Sequence, residues 1–319
     1  MDIRRLVQPH ILKIIPYSSA RKEYSGETGI FLDANENPYE NGYNRYPDPF
    51  HKSIRQCISD IYNINVKNIF VGNGSDEIID LIIRLFCIPG KDKIVICPPT
   101  YGMYEVAASI NNVKVIYSPL NEQFLPDIES LKKIFREIDD IKLFFLCSPN
   151  NPTGNVVPIG LLKEILSVYN GILLLDEAYI DFCEDKTALS LQKDYPNLII
   201  IRTLSKAYGL AGIRLGFMFA DEKIIQLMYN IKLPYNINTF TQNKASQILK
   251  NTKRKSRIVR LINSHKEYLI KELLKLPFIK KIYHSDANFL LVKTTDAQYI
   301  YDYLIENKII VRNRSTLLN

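Results

Sequence analysis

Seven short apolar runs, separated by amphipathic stretches, restrict the fold of this chain between residues 69 and 220. The runs are rich in β-branched and aromatic residues, and those at 143–146 and 172–175 are continuously apolar. Such runs are typical of strands buried on both faces of a mostly parallel sheet. The pattern therefore predicts an α/β domain with helices on both faces. The predicted strands are 69–71, 93–97, 113–117, 142–147, 172–176, 198–202 and 215–220, and the predicted helices include 76–87, 128–137 and 158–169.

The pattern changes after residue 234. A helical stretch at 239–274 is followed by strand-like runs at 279–283 and 288–292, a helix near 297–306 and a last strand at 308–312. This order predicts a smaller α+β domain, which the N-terminal residues join in space. The predicted division is a large domain at 46–233 and a small domain made of 1–45 and 234–319.

Composition excludes several classes of protein. With 46% hydrophobic residues among 319, the chain is not disordered, and no run approaches the roughly 18 apolar residues of a membrane helix. The net charge of +7 is mild, and we interpret the basic run at 250–260 as a solvated helix face instead of a nucleic-acid site. Five cysteines without a CxxC pair indicate a reducing cytoplasm. The four histidines lack ligand-spaced partners, so we predict no metal site.

Candidate ligand-binding motifs lie at the ends of four predicted strands, where open α/β sheets bind their ligands. The first is Gly-Asn-Gly-Ser-Asp-Glu at 72–77. It is not the dinucleotide fingerprint, because Glu77 takes the place of the third glycine. A glycine turn that opens a helix still offers backbone N–H groups to a phosphate, which makes Gly74 and Ser75 candidates. A plain capped helix explains the stretch equally well.

Two more motifs place polar side chains after buried strands. The stretch Ser-Pro-Asn-Asn-Pro-Thr-Gly at 148–154 forms a rigid turn that would fix Asn151, although it could be a turn and nothing more. Asp176 follows four apolar residues at the carboxyl end of a strand. A carboxylate in such a place needs a partner or a chemical task, and a salt bridge or helix cap is the alternative.

The fourth motif, at 203–214, holds a lysine among small residues and glycines. Desolvation or nearby cations would make the Lys206 amine a nucleophile that can form a Schiff base. Thr203, Ser205 and Arg214 could hold an anion beside it. A Ser–Lys hydrolase is the alternative, but adjacent residues of an extended segment point to opposite sides, which separates Ser205 from Lys206.

In order and spacing, the four motifs resemble those of the fold-type I pyridoxal-phosphate-dependent aminotransferases. The resemblance covers nearly the whole chain. It rests on Asn-Pro-Thr-Gly, Asp-Glu-Ala-Tyr and a Ser-Lys pair with an arginine eight residues after the lysine. It implies a fold with a large domain on a mostly parallel sheet flanked by helices and a smaller α+β domain. It also implies pyridoxal 5′-phosphate as cofactor, bound by the large domain, and amino transfer as the reaction.

The resemblance implies a role for each matching residue around the cofactor ring. Lys206 would form the Schiff base with the cofactor and move the proton of the reaction. Asp176 would pair with the protonated pyridine nitrogen and keep the ring an electron sink. Tyr179 and Asn151 would hydrogen-bond the phenolic oxygen.

The remaining cofactor contacts implied by the resemblance concern the phosphate and the ring face. Tyr101 would stack on the ring. Tyr46 would reach the phosphate from the neighbouring subunit, which implies a homodimer. Within one subunit, the residues expected to hold the phosphate are Gly74, Ser75, Thr203, Ser205 and Arg214.

Three more stretches, at 32–38, 44–49 and 309–312, narrow the resemblance to the histidinol-phosphate aminotransferases. These enzymes exchange an amino group between L-histidinol phosphate and 2-oxoglutarate, giving imidazole acetol phosphate and L-glutamate, in histidine biosynthesis. A phosphorylated substrate needs a second anion site, and the resemblance places Arg312 there, with Asn35 and Tyr17 as further substrate contacts. A surface arginine and a tyrosine packed against the core are the alternatives.

Other possibilities stay open at this point, and another fold-type I aminotransferase activity is one of them. A threonine-phosphate decarboxylase shares the lysine, the aspartate and the phosphate contacts, so these residues do not separate it from an aminotransferase. Relatives also continue past the segment matching 315–317 with a strand, a carboxylate-binding arginine and a helix, whereas this sequence ends at Asn319. From this we expect a weak half-reaction with glutamate or 2-oxoglutarate, and an inactive, truncated relative is the other possibility.

Overall fold

The computed structural model describes residues 2–15 and 29–317, and its central feature is a seven-stranded mixed sheet. The strand order is β1-β7-β6-β5-β4-β2-β3, and only β7 runs antiparallel to its neighbours. All seven strands predicted in this region are present, which confirms the α/β prediction. The strands are β1 Ile69–Gly72, β2 Lys93–Ile96, β3 Lys114–Tyr117, β4 Ile141–Cys147, β5 Ile172–Asp176, β6 Leu198–Thr203 and β7 Gly216–Phe219.

Helices cover both faces of this sheet. On β4, Leu143 and Phe145 join the core on one face while Phe144 and Leu146 join the core on the other, as the period of two in a strand requires. Helices α2, α3 and α6 pack on the first face, and α1, α4, α5 and α7 pack on the second. The helices are α1 Lys52–Tyr62, α2 Gly74–Phe86, α3 Met103–Ile110, α4 Ile128–Glu137, α5 Ile159–Val168, α6 Glu222–Ile231, α7 Thr239–Leu249, α8 Thr252–Leu273 and α9 Ala297–Glu306.

The C-terminal part differs from the prediction in three places. The stretch 239–274 is two helices, α7 and α8, not one. The second strand of the small antiparallel pair, β8 Ile279–Ile282 and β9 Val292–Thr294, begins later than predicted, because Phe289 closes a turn by accepting a hydrogen bond from Ser285 Oγ at 2.6 Å. The predicted strand at 308–312 is wrong. The N–H groups of Lys308 and Ile309 bond back to the end of α9 instead of to a strand.

The prediction that the basic run at 250–260 forms a solvated helix face is only partly confirmed. Most of its cations are exposed, but Lys255 is 7% exposed on α8. Its ammonium lies 3.2 Å from a carboxylate oxygen of the buried Asp181 and also contacts Glu184. A buried lysine requires such partners, and the sequence pattern of the run does not reveal them. In the described residues, no helix combines the length and apolar character needed to cross a membrane.

The sheet brings the four motifs to one edge, the one at which the parallel strands end. Since β1, β4, β5 and β6 run parallel, their carboxyl ends coincide there. Gly72 and Thr203 both lie opposite Gly216 across the sheet. The position of Gly216 allows the first turn of α2 to approach the sheet. A Cβ added to Gly216 would lie 2.6 Å from the carbonyl carbon of Gly74 and closer still to the Ser75 nitrogen.

We predict that Gly216→Ala destabilises the protein by about 1–3 kcal/mol, because the added methyl group meets backbone atoms that cannot rotate away. The matched control is Gly160→Ala on α5, where an added Cβ meets nothing within 4 Å. This control should be neutral or stabilise the helix by up to about 1 kcal/mol. The free energy of unfolding in chemical denaturation measures both changes, and equal losses in the two variants would contradict the close approach at Gly216.

Candidate active site

Asp176 is a buried carboxylate at the carboxyl end of β5, with a relative exposure of 3%. It accepts hydrogen bonds from Tyr104 Oη at 2.8 Å and from the Ala178 N–H at 3.0 Å. Burial raises the pKa of Asp176 to about 6, against the lowering effect of these two bonds. In the described part of the chain it forms no salt bridge, so the site suits a cationic N–H group placed against this carboxylate.

Tyr104 is a residue that the sequence interpretation missed. It lies on α3, is fully buried, and stacks on Phe145 with ring centroids 5.2 Å apart. Its hydroxyl group reaches Asp176 from the helix layer. A tyrosine three residues after Tyr101 was the available signal, but helical spacing alone does not reveal which strand end a side chain reaches.

The amine of Lys206 lies 5.4 Å from the ring centroid of Tyr179. The Tyr179 hydroxyl in turn accepts a hydrogen bond from Asn151 Nδ2 at 3.3 Å. Burial, reinforced by the charge of Asp176 among others, raises the pKa of Tyr179. The structure thus brings Lys206, Tyr179, Asn151 and Asp176 together. Lys206 is exposed, however, so the desolvation expected for its amine is not present; the loop at 203–214 turns it toward the open edge of the sheet.

Gly74, Ser75 and Arg214 form a basic cradle at the start of α2. Gly74 has a φ of +79°, which favours glycine, and a Cβ there would lie 2.6 Å from a terminal nitrogen of Arg214. The guanidinium therefore lies directly against the helix N-terminus. Thr203 and Ser205 lie beside each other, with their hydroxyl oxygens 3.0 Å apart. Backbone N–H groups, a guanidinium and hydroxyl groups are the donors that a phosphate takes.

Asp76 links this cradle to Tyr101. Its carboxylate lies 3.2 Å from Arg214 and accepts a hydrogen bond from Tyr101 Oη at 3.1 Å. The Asp76 carboxylate is therefore already paired with a cation and a hydroxyl group. The Tyr101 ring meets the Tyr104 ring edge-on at 5.5 Å, and burial, then Asp76, then the charge of Asp176 raise the pKa of Tyr101. Tyr101 accordingly lies between the phosphate cradle and the buried carboxylate.

The other predicted site residues are not part of this group. Asn35 and Tyr46 line a separate cavity of about 470 Å³, where Tyr46 stacks on Tyr235 with centroids 4.4 Å apart. Arg312 is exposed in the segment after α9, and no contact joins it to this group among the described residues. Tyr17 lies outside the described residues.

Glu177, next to Asp176, has a different environment. It is 1% exposed and pairs with the buried Arg202, whose Nε and terminal nitrogen lie 3.0 and 2.7 Å from one carboxylate oxygen. Thr187 Oγ1 and the Ala188 N–H complete its hydrogen bonds. The sequence interpretation did not single out Arg202, although a charged residue ending a buried strand was the same signal that identified Asp176. The salt bridge that was the alternative explanation for Asp176 is thus formed by its neighbour, Glu177.

These residues fit pyridoxal 5′-phosphate. The buried, unpaired carboxylate of Asp176 suits a protonated pyridine nitrogen, and the Lys206 amine suits an aldehyde. The absence of a side chain on Gly74 lets the Arg214 guanidinium lie against the start of α2, which brings two kinds of phosphate donor, backbone N–H groups and a guanidinium, next to each other. No feature of the described residues conflicts with this ligand.

Comparison with known proteins identifies the family. The sequence profile of the family described as aminotransferase class I and II matches residues 30–318. The chain is 46% identical over 317 residues to the histidinol-phosphate aminotransferase of Cytophaga hutchinsonii, covering 98% of this chain and 90% of that one.

Two solved structures confirm the fold. The histidinol-phosphate aminotransferase of Clostridium acetobutylicum superposes with a TM-score of 0.78 at 29% identity, covering 86% of this chain and 82% of that one. The enzyme of the same name from Sinorhizobium meliloti, solved in complex with pyridoxal-5′-phosphate, has the same TM-score at 22% identity, covering 86% and 76%. The predicted fold-type I architecture is thereby confirmed.

We predict that Asp176→Asn stabilises the cofactor-free protein at neutral pH. The folded carboxyl has a pKa of about 6 against an ordinary value of 3.8. As pH rises between these values, the unfolded chain releases its proton while the folded chain retains it. The wild type should therefore lose about 3 kcal/mol of stability through this window, which the uncharged asparagine avoids.

The measurement is the free energy of unfolding of both cofactor-free proteins from about pH 4 to about pH 7. The variant should gain on the wild type across this range. Asp185→Asn, at an exposed position nearby, is the control and should track the wild type. Parallel curves for wild type and Asp176→Asn would show that burial does not perturb Asp176.

Proposed function

Because this chain belongs to the aminotransferase class I and II family, we propose that it is a histidinol-phosphate aminotransferase. It would transfer an amino group between L-histidinol phosphate and 2-oxoglutarate, giving imidazole acetol phosphate and L-glutamate, in histidine biosynthesis. One structural observation carries the proposal. The buried carboxylate of Asp176, the amine of Lys206 and the basic cradle at Gly74 and Arg214 all lie at one edge of the sheet.

Pyridoxal 5′-phosphate, when bound, supplies the electron sink that amino transfer requires. In this proposal Asp176 holds a proton on the pyridine nitrogen, since a buried carboxylate gains most from a cationic partner. Tyr104 orients that carboxylate through its 2.8 Å hydrogen bond. Compensation of the buried charge of Asp176 by this cationic partner then contributes to the affinity for the cofactor.

Lys206 serves as the base and acid that moves the proton at the substrate carbon. Its amine is exposed and lies beside the Tyr179 ring, so a substrate can approach it from the open edge of the sheet. Tyr179 and Asn151 hold the phenolic oxygen of the cofactor, and their 3.3 Å contact aligns both polar groups.

The phosphate of the cofactor binds in the cradle at the start of α2. Arg214 contributes its fork, and the helix N-terminus contributes N–H groups and the positive end of its dipole. The further members of the cradle are Ser75, Thr203 and Ser205, and Tyr101 stacks on the ring. We assign the cofactor to the segment 46–233 and treat 1–45 and 234–319 as the second domain.

A homodimer is part of the proposal. Tyr46 lies half-exposed in a cavity apart from the phosphate cradle of its own chain, a place from which it can serve a neighbouring subunit. The exposed Tyr43 and Phe240, which line the same cavity, supply apolar surface for such an interface. The expected location is the cytoplasm, which the five free cysteines support.

For the substrate, we propose Arg312 as an anion contact at the rim of the site and Asn35 as a second contact. A threonine-phosphate decarboxylase would use the same lysine, aspartate and phosphate cradle. The two reactions differ in which bond at the substrate carbon stands perpendicular to the cofactor ring. Identity of 46% with a histidinol-phosphate aminotransferase over nearly the whole chain supports amino transfer.

We expect titration of the cofactor-loaded protein with L-histidinol phosphate to convert the visible absorption band of the bound cofactor to that of its amine form. Imidazole acetol phosphate should appear in equal amount. L-Threonine phosphate is the comparison substrate. Carbon dioxide release from that compound, with no conversion by L-histidinol phosphate, would favour the decarboxylase and overturn the proposal.

Lys206→Ala should abolish that conversion, with the activity falling by orders of magnitude, because the proposed mechanism assigns the proton transfer to this amine. The matched control is Lys193→Ala, which removes an exposed lysine. This variant should react as the wild type does. Conversion at a normal rate by the Lys206→Ala variant would show that Lys206 is not the reacting lysine.

A further inference from the structure

The loop between β8 and β9 packs against the segment 148–156, which is the Asn-Pro-Thr-Gly turn and the residues after it. Asp286, in this loop, donates its N–H to the Gly154 carbonyl at 2.8 Å, and its Oδ2 accepts the Val156 N–H at 3.2 Å. A Cβ added to Gly154 would lie 2.7 Å from the Cβ of Ser285, so only a glycine leaves room for this approach. The turn is thus closed by a loop from the far end of the chain.

The loop is itself anchored by two lysines. The Lys266 amine, on α8, donates to the carbonyl oxygens of Ser285 and Ala287 at 2.8 and 2.6 Å. The Lys186 amine lies 2.7 Å from Oδ1 of Asp286, whose side chain is 10% exposed. Because these contacts do not involve the segment 148–156, the loop is a support that is held independently of the turn it contacts.

The same loop also contacts Tyr179. The Phe289 ring meets the Tyr179 ring edge-on, with centroids 5.1 Å apart, and Ala287 belongs to the small apolar cluster that contains Tyr179. Tyr179 in turn accepts the 3.3 Å hydrogen bond from Asn151, a residue of the turn. One loop therefore supports both members of this hydrogen-bonded pair.

We propose that Asp286 is a positioning residue of the active site: by holding the segment 148–156 it keeps Asn151 beside Tyr179, so that both groups reach the phenolic oxygen of the cofactor. This inference rests on the proposed function, which assigns these two groups to that oxygen. Asp286 acts through the turn and not on the cofactor. A carboxylate suits the task because its two oxygens accept from different donors, the turn on one side and an ammonium on the other.

The readout is the pH midpoint of the visible absorption band of the cofactor-loaded protein, which reports protonation of the nitrogen that links the cofactor to Lys206. Hydrogen bonds donated to the phenolic oxygen stabilise its negative charge and favour loss of the neighbouring proton, so a loosened turn should raise the midpoint. Loss of the Asp286 charge, which leaves the contacting Lys186 and His284 without their anion, acts by itself in the opposite direction. The sign of the shift therefore separates positioning from electrostatics.

Asp286→Ala should raise this midpoint by about 0.5 pH units or more, because the side-chain contact with the turn is lost. Asp286→Asn retains one acceptor oxygen and should shift the midpoint less. Asp302→Asn, at an exposed position on α9, is the matched control and should leave the midpoint unchanged. A lowered or unchanged midpoint in the Asp286→Ala variant would overturn the assignment.

A double variant separates the placement of Asn151 from a general loosening of the protein. Asn151→Ala removes the group that Asp286 is proposed to place, so the further change Asp286→Ala should add little to the shift. Fully additive shifts would show that Asp286 acts through other groups, which contradicts the proposal.

Hydrogen exchange of the cofactor-free protein tests the contact without cofactor or turnover. Asp286→Ala should speed exchange of the Val156 amide by about tenfold or more, since a hydrogen bond to a charged group is lost, while the amides of α2 should exchange as in the wild type. Unchanged exchange at Val156 would refute the contact. A wild type that binds no pyridoxal 5′-phosphate would refute the proposed function instead, and the exchange data would still decide whether Asp286 holds the turn.

Discussion

Burial of the central strands on both faces is the constraint on which the rest of the structure depends. Strands such as β5 have apolar side chains in two separate cores, so polar groups are excluded from their length. Polar groups are consequently found where the strands end. The parallel direction of β1, β4, β5 and β6 collects those ends at one edge, and the candidate active site lies there.

Two neighbouring carboxylates at that edge show how burial divides structural from chemical roles. Glu177 has a guanidinium, a hydroxyl group and a backbone N–H as partners, so its charge is compensated within the chain. Among the described residues, Asp176 has two neutral donors, and burial raises its pKa to about 6. The incompletely compensated group is the one available to a cationic ligand. The protein thus retains an unfavourable buried charge at the position where a cofactor can relieve it.

The two basic regions of the site differ in the same way. Arg214 has a carboxylate partner and lies against a helix N-terminus, an arrangement that fixes the guanidinium where we propose that the cofactor phosphate binds. Arg312, by contrast, is exposed and has no salt bridge among the described residues. A substrate must bind and leave at every turnover, so charges that are compensated only by the substrate suit that location.

By itself the sequence determined the seven strands, the α/β class and the identity of the residues around Asp176 and Lys206, because strand burial and glycine-rich turns leave local patterns. It did not reveal Tyr104, Arg202 or the partners of Lys255, since each contact joins elements distant in the chain. The sequence also predicted a strand at 308–312, where the N–H groups of Lys308 and Ile309 bond instead to the end of α9. The tertiary structure decided which buried carboxylate has a cationic partner and which does not, because pairing depends on distances between elements and not on neighbours in sequence.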